Sequence, residues 1–164
     1  MTTTLIISFL LLIPGLLFFL LKLPIGIFKP VKRMYQIIMV GLLVGLLSSL
    51  ASIVAIYMYG PIEVHFFQLY NLGLTIRIDQ LSIIMYTMIS IIGIVVVKYS
   101  KNYLDGDSGH LRFMGNLAFT IAFVQLLVVS GNLATILVAW VGASVGLHKL
   151  LLFYPERKKA RWAA

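Results

Sequence analysis

Acidic side chains are scarce in this 164-residue chain: there are five, and none falls inside a long apolar run. Buried ionisable groups mark ion pathways through a bilayer, and the apolar runs offer no carboxylate for that task. Cysteine is absent altogether, which removes disulfides, thiolate metal sites and iron–sulfur ligation. His65, His110 and His148 fall in separate segments, with no second His at helical spacing. No haem or metal pair is encoded that way, and each histidine reads as a packing or interface residue. No catalytic residue, metal site or cofactor is therefore expected in the chain itself.

Polar surface is lacking too. With 61% hydrophobic and 11% charged residues and a mean hydropathy of +1.04, an ordinary soluble domain is excluded, because too little would face water. The apolar runs match a hydrocarbon core crossed at about 1.5 Å per residue. They predict an all-α polytopic membrane protein of about five transmembrane helices, roughly residues 4–21, 34–59, 81–99, 113–129 and 133–154. The first run has no basic residue ahead of it and is long for the core of a signal peptide, so it is read as a retained helix.

The net charge of +8 would suggest nucleic acid in a soluble protein. Here the basic residues stand in loops and a tail beside apolar spans, where they orient the protein and meet anionic lipid. The first connection holds Lys22, Lys29, Lys32 and Arg33, the third Lys98, Lys101 and Arg112, and the tail (155–164) Arg157, Lys158, Lys159 and Arg161. Five crossings put all three on one side, cytoplasmic by the positive-inside rule, with the amino terminus outside a cell membrane.

The external segment 62–79 alternates Ile62, Val64 and Phe66 with Glu63 and His65, then Leu74, Ile76 and Ile78 with Thr75, Arg77 and Asp79, around Tyr70-Asn71-Leu72-Gly73. Period-two alternation on both sides of an Asn/Gly turn predicts a short β-hairpin between the second and third helices.

Gly41, Gly45 and Ser49 form a small-xxx-small ladder in the second span, and Gly142 with Gly146 repeats it in the fifth. Small residues let helix backbones approach closely in lipid, within one subunit or between two. Gln125, in the fourth span, is a candidate for an ion pathway or, as structural glue, needs an interhelical partner, and Thr120 can bond its own preceding carbonyl. His148 and Lys149 are the adjacent ionisable pair of the fifth span, about 24 Å from Asn132 in a core of about 30 Å. Two readings stand. Lys149 snorkels and the pair anchors the helix at the interface, or Trp140, Ser144 and His148, spaced by four on one face, line a cytoplasmic half-channel in which His148 relays a proton.

An ordered set of residues resembles a known family. Asp79-Gln80-Leu81-Ser82, then Tyr99-Ser100, Tyr103, Gly106, Asp107, Arg112 and Phe113, then Asn132-Leu133 and Trp140 look like the amino-terminal part of antiporter-like subunits. These are the NuoL subunit of NADH-quinone oxidoreductase, the Mrp cation/proton antiporters and the inorganic-carbon transporter subunit DabB. In the NuoL and Mrp branches the Trp is followed by a Glu that pairs with a Lys on a later helix. Here that position is Val141, followed by Gly142, and the run to His148-Lys149 and Phe153-Tyr154-Pro155-Glu156-Arg157 resembles the DabB branch.

The resemblance implies a membrane subunit that takes up CO2 or bicarbonate at the expense of an ion gradient, with a large peripheral zinc-binding (DabA-like) partner holding the metal. It also implies a longer subunit, of which this chain is an amino-terminal portion completed by further helices or another antiporter-like chain. The alternatives are a proton-translocating NuoL-like or Mrp-like subunit and a non-conducting membrane anchor.

Overall fold

The computed structural model describes residues 31–69, 72–107 and 109–153 and, ahead of them, Leu11, Ile13, Gly15 and Phe18. Those four are helical; the rest of the expected first span lies outside the described residues, as do Lys22, Lys29 and the basic tail. Among the described residues four helices are long and apolar enough to cross a membrane. They are α1 (Val31–Tyr59), α2 (Gln80–Tyr103), α3 (His110–Val128) and α4 (Leu133–Leu151), the expected second to fifth spans. Between α1 and α2 lies an antiparallel hairpin of β1 (Ile62–Leu69) and β2 (Leu72–Ile78).

The helices outrun their apolar stretches. α1 begins with Val31, Lys32 and Arg33, α2 continues past residue 99 through Lys101 to Tyr103, and α3 takes in His110 and Arg112. Lys and Arg are good helix formers, so hydrogen bonding extends past the apolar window. α4 instead ends at Leu151, three residues short of the expected limit, where Leu152 N–H donates back to the carbonyls of His148 and Leu150.

Local chemistry sets the boundaries. α1 stops at Gly60, which has φ 79° and donates to Ile56 O, and Pro61 follows; glycine tolerates that conformation and proline cannot continue the helix. Asp79 caps α2 by accepting from Ser82 N–H at 2.8 Å. Between α2 and α3, Gly106 takes φ 84° and Asp107 Oδ1 accepts from Gly109 N–H.

The strands pair Ile62 with Ile78 and Val64 with Ile76, and those four side chains are buried. The register shifts at Phe66, because His65 faces Thr75 while Phe67 faces Leu74. Thr75 departs from the alternation: its face was expected to be the polar one, yet it is buried. The cover is the α3–α4 connection, which reads in sequence as a bare turn. Ser130 bridges to Ile76, Arg77 N–H donates to Val129 O, and Gly131 N–H donates to Thr75 O. That connection lies along the free edge of β2 as a one-residue third strand, and the edge is thereby blocked.

Two apolar cores result. One, at the hairpin end, joins Ala55, Ile56, Ile62, Val64, Ile76, Ile78, Ile83, Tyr86 and Val129 with Leu11. The other, toward the α2–α3 loop, joins Met34, Ile38, Leu42, Val97, Met114, Leu117, Ala118, Ile121 and Ala122 with Phe18.

Candidate functional site

The fifth-span candidates divide between opposite faces of α4. Gly142 and Gly146 face α3. A Cβ on Gly142 would overlap the Phe123 ring, and one on Gly146 would overlap Thr120 Oγ1 and come within 3.2 Å of the Thr120 Cα. This small-residue pair therefore serves packing within the chain, one of the two uses left open by the sequence. Gly41 and Gly45 are buried on α1.

Trp140, Ser144 and His148 share the other face, as their spacing implies, and that face is open. Trp140 is 62% and Val141 63% exposed, and Ser144, His148 and Lys149 are exposed beside them. The described helices enclose no channel around these side chains; whatever they line must be completed from outside. His148 and Lys149 stand in the last turn of α4, where positive charge suits the negative end of the helix dipole.

Gln125 has the interhelical partner that burial demands. Its Nε2 donates to Ser90 Oγ on α2 at 3.2 Å, and Ser90 donates to Tyr86 O at 2.9 Å. Thr120 bonds Asn116 O at 2.8 Å, as expected of a hydroxyl inside a helix.

Around Gln125 lies a layer that single-residue reasoning missed. Ser48, Ser49 and Ser52 of α1 and Ser90 of α2 are buried between the two apolar cores. Thr87 Oγ1 stands 2.9 Å from Ser49 Oγ and 2.7 Å from Ile83 O. The available signal was the run Gly45, Ser48, Ser49, Ser52 facing Thr87 and Ser90, since small hydroxyls at helical spacing satisfy themselves on backbone carbonyls and still reach across. Among the described residues Gln125 Oε1 has no partner, and the same holds for Nε2 of the buried His110 at the start of α3. Both sit on the interior face of α3 with Met114, Ala118 and Ile121 between them.

Two of the motif residues, Asp79 and Asn132, hold the hairpin end. Asn132 Oδ1 accepts from Thr135 N–H to cap α4, while its Nδ2 donates to Gly73 O across the sheet edge. Arg77 lies 3.5 Å from both Glu63 and Asp79, and Arg112 is exposed in the first turn of α3.

The Ser82 N–H bond, helped by Arg77, holds the Asp79 carboxyl below its ordinary value of 3.8. A depressed folded pKa contributes stability that is complete above the unfolded value and is lost as pH falls through the folded one. Thermal midpoints in detergent should therefore drop as pH falls below 3.8, and Asp79→Asn should remove that part of the slope. Parallel profiles for the two proteins would show that Asp79 does not carry it.

The comparisons agree with the motif reading. Residues 65–114 match the family model for the N-terminus of chain 5 of NADH-ubiquinone oxidoreductase (complex I). The chain is 39% identical over 89 residues to the probable inorganic carbon transporter subunit DabB2 of Halothiobacillus neapolitanus, covering 54% of this chain and 16% of that protein. It is 29% identical over 126 residues to the probable inorganic carbon transporter subunit DabB of Hydrogenovibrio crunogenus, covering 74% and 23%. Against NADH-quinone oxidoreductase subunit L of Rickettsia typhi it is 31% identical over 98 residues, covering 60% and 15%. The chain spans less than a quarter of the length of these relatives. Four apolar helices and this set of relatives identify a multi-pass membrane protein similar to the antiporter-like subunits.

Proposed function

We propose that this chain is part of the membrane subunit of an ion-gradient-driven inorganic-carbon transporter of the DabB type. The observation that carries the reading is Val141, at the position that holds a Glu in the NuoL and Mrp branches the chain resembles; the 39% identity to DabB2 is compatible with it. On this reading a large peripheral zinc-binding partner supplies the metal chemistry, a division of labour that fits a chain without cysteine.

This part of the subunit insulates and positions. The interior of the bundle between His110 and Gln125 is lined by Met114, Ala118 and Ile121 against Ile38, Leu42 and Val97, apolar side chains that give a water wire no polar partners. Ion movement is therefore assigned to helices beyond this chain. Accordingly Val141→Glu, on an exposed face, should confer no proton flux on liposomes holding the chain alone; a measurable pH-gradient collapse would overturn the assignment.

The hairpin faces outward and the α2–α3 loop the cytoplasm, because Lys98, Lys101 and Arg112 flank that loop whereas the hairpin connections carry Arg77 alone. The cysteine-free chain makes a clean background for a test. A membrane-impermeant maleimide should label His65→Cys on intact cells and Asp105→Cys after permeabilisation alone, and the reverse pattern would invert the topology.

The family-model match favours a second reading, a subunit of a proton-translocating quinone oxidoreductase. Purification of the tagged chain from its native membrane separates the two. A zinc-containing soluble protein in stoichiometric yield supports the transporter, quinone-reducing subunits support the oxidoreductase, and neither leaves a membrane anchor.

A further inference from the structure

The middle of the bundle is short of protons to donate. Ser48, Ser49 and Ser52 of α1 and Thr87 and Ser90 of α2 each hold the hydroxyl 2.7 to 2.9 Å from a preceding carbonyl of their own helix. A hydroxyl has one proton and two lone pairs, so a proton spent in that way leaves an acceptor facing the interior. Gln125 Nε2 serves one of these acceptors, Ser90 Oγ, at 3.2 Å. Because Ser90 gives its own proton to Tyr86 O, the amide must stand with Nε2 toward Ser90 and Oε1 away from it. Gln125 is 2% exposed, and Oε1 has no partner among the described residues. Buried oxygens of this kind are satisfied in folded proteins by a protein donor or by ordered water.

The surroundings suit one small donor. Tyr86 donates to Leu11 O at 2.9 Å, and Leu11 belongs to the hairpin-end core while Phe18 belongs to the other. Gly15, one turn on from Leu11, is therefore level with Ser90, one turn on from Tyr86. Among the described atoms a Cβ on Gly15 would meet Ala122 O alone, at 4.0 Å, whereas one on Gly142 or Gly146 would overlap its neighbours. The wall is set back beside α3 at the height of Gln125, and the facing residues Gly45, Ser49 and Ser90 are small and buried. A cation is a poor occupant, because the layer offers hydroxyls and an amide but no carboxylate to offset the loss of its hydration.

We infer that a single water molecule is bound in this layer, donating one proton to Gln125 Oε1 and the other to a hydroxyl oxygen of α1 or α2. It joins α3 to the α1–α2 pair at the level where direct donors run out. Apolar cores stand on both sides of the layer, so the water is isolated and holds helices in register without belonging to an ion path. The inference is independent of what the assembly transports.

The test is an electron cryo-microscopy map of the intact native assembly at a resolution that shows ordered water. One peak should stand about 2.5–3.0 Å from Gln125 Oε1 and within the same reach of a hydroxyl oxygen of the layer. Gln125→Met, similar in length and without the amide, should lose that peak. Infrared spectra of membranes exchanged into heavy-oxygen water give a second readout: the parent should show one isotope-shifted O–H stretch that Gln125→Met lacks. The absence of a peak in the parent, a protein donor bonded directly to Oε1, or a peak ringed by about six oxygens at about 2.0–2.6 Å, as a hard cation would be, would each overturn the inference. So would a peak that survives in Gln125→Met, or identical spectra. If Gln125→Met does not assemble, the map of the parent decides alone.

Discussion

Gly146→Leu should prevent α4 from seating on α3, and the protein should be lost from the monodisperse, detergent-stable fraction. A Cβ at this position already meets Thr120 Oγ1 and the Phe119 ring, and the Thr120 backbone is 3.2 Å away and cannot turn aside. Overpacking of a tight contact costs about 1–3 kcal/mol per site where side chains can move, and more is expected where the obstacle is backbone. Gly146→Ala should show the same defect in smaller degree, as a lowered thermal midpoint. Val145→Leu, with 41% exposure on the same helix, should stay within about 0.5 kcal/mol of the parent. Fluorescence-detected size exclusion of the three variants reads the series. If Gly146→Leu elutes and melts like the parent, the close approach of α3 and α4 is not made in the folded protein.

Asn132→Ala should be the most damaging change among the loop residues. It removes the cap of α4 and, in the same step, the donor to Gly73 O that fastens the hairpin to the bundle. Loss of an N-cap costs about 1 kcal/mol, with a range of about 0.5–2; loss of the amide donor to Gly73 O, which keeps Thr135 Oγ1 at 3.4 Å, adds about 0.5–1.5 kcal/mol, the net contribution of one hydrogen bond. Asn132→Asp separates the two contributions, since a carboxylate caps the helix but offers no donor to Gly73. The expected order of thermal midpoints is parent, then Asp, then Ala. Protease sensitivity of the hairpin should rise in both variants, because both lose the staple. Equal midpoints for Asp and parent would mean that the Gly73 contact contributes nothing.

Residue type and period made much of this fold legible. The apolar runs located α1 to α4 because a bilayer demands that pattern, and alternation from Ile62 to Ile78 predicted the paired strands because one face of the hairpin had to be buried. Helix ends were less legible: Lys32, Lys101 and Arg112 leave the apolar window without leaving the helix. Thr75 was out of reach altogether. Its polarity argues for solvent, while its burial comes from Gly131, Asn132 and Thr135, which local periodicity does not connect to it. The same limit applied to the interior layer. Gln125 declared its need for a partner, but which hydroxyl answered depended on how α2 and α3 rotate against each other. For the exposed face of α4, spacing showed that Trp140, Ser144 and His148 share a side, and the packing of Gly142 and Gly146 against Phe123 and Thr120 then determined that this side looks away from the bundle.

The stapled hairpin also has a history in time. Gly73 and Asn132 are separated by 59 residues along the chain, so the strands emerge well before the segment that closes their edge. At synthesis rates of about 5–20 residues per second, the sheet stands open for roughly 3–12 s while two more helices are made and inserted. Throughout that interval its open edge is a template for any extended chain nearby. The newborn protein thus passes through a window of vulnerability that the finished one does not have, and the arrival of Gly131 and Asn132 ends it.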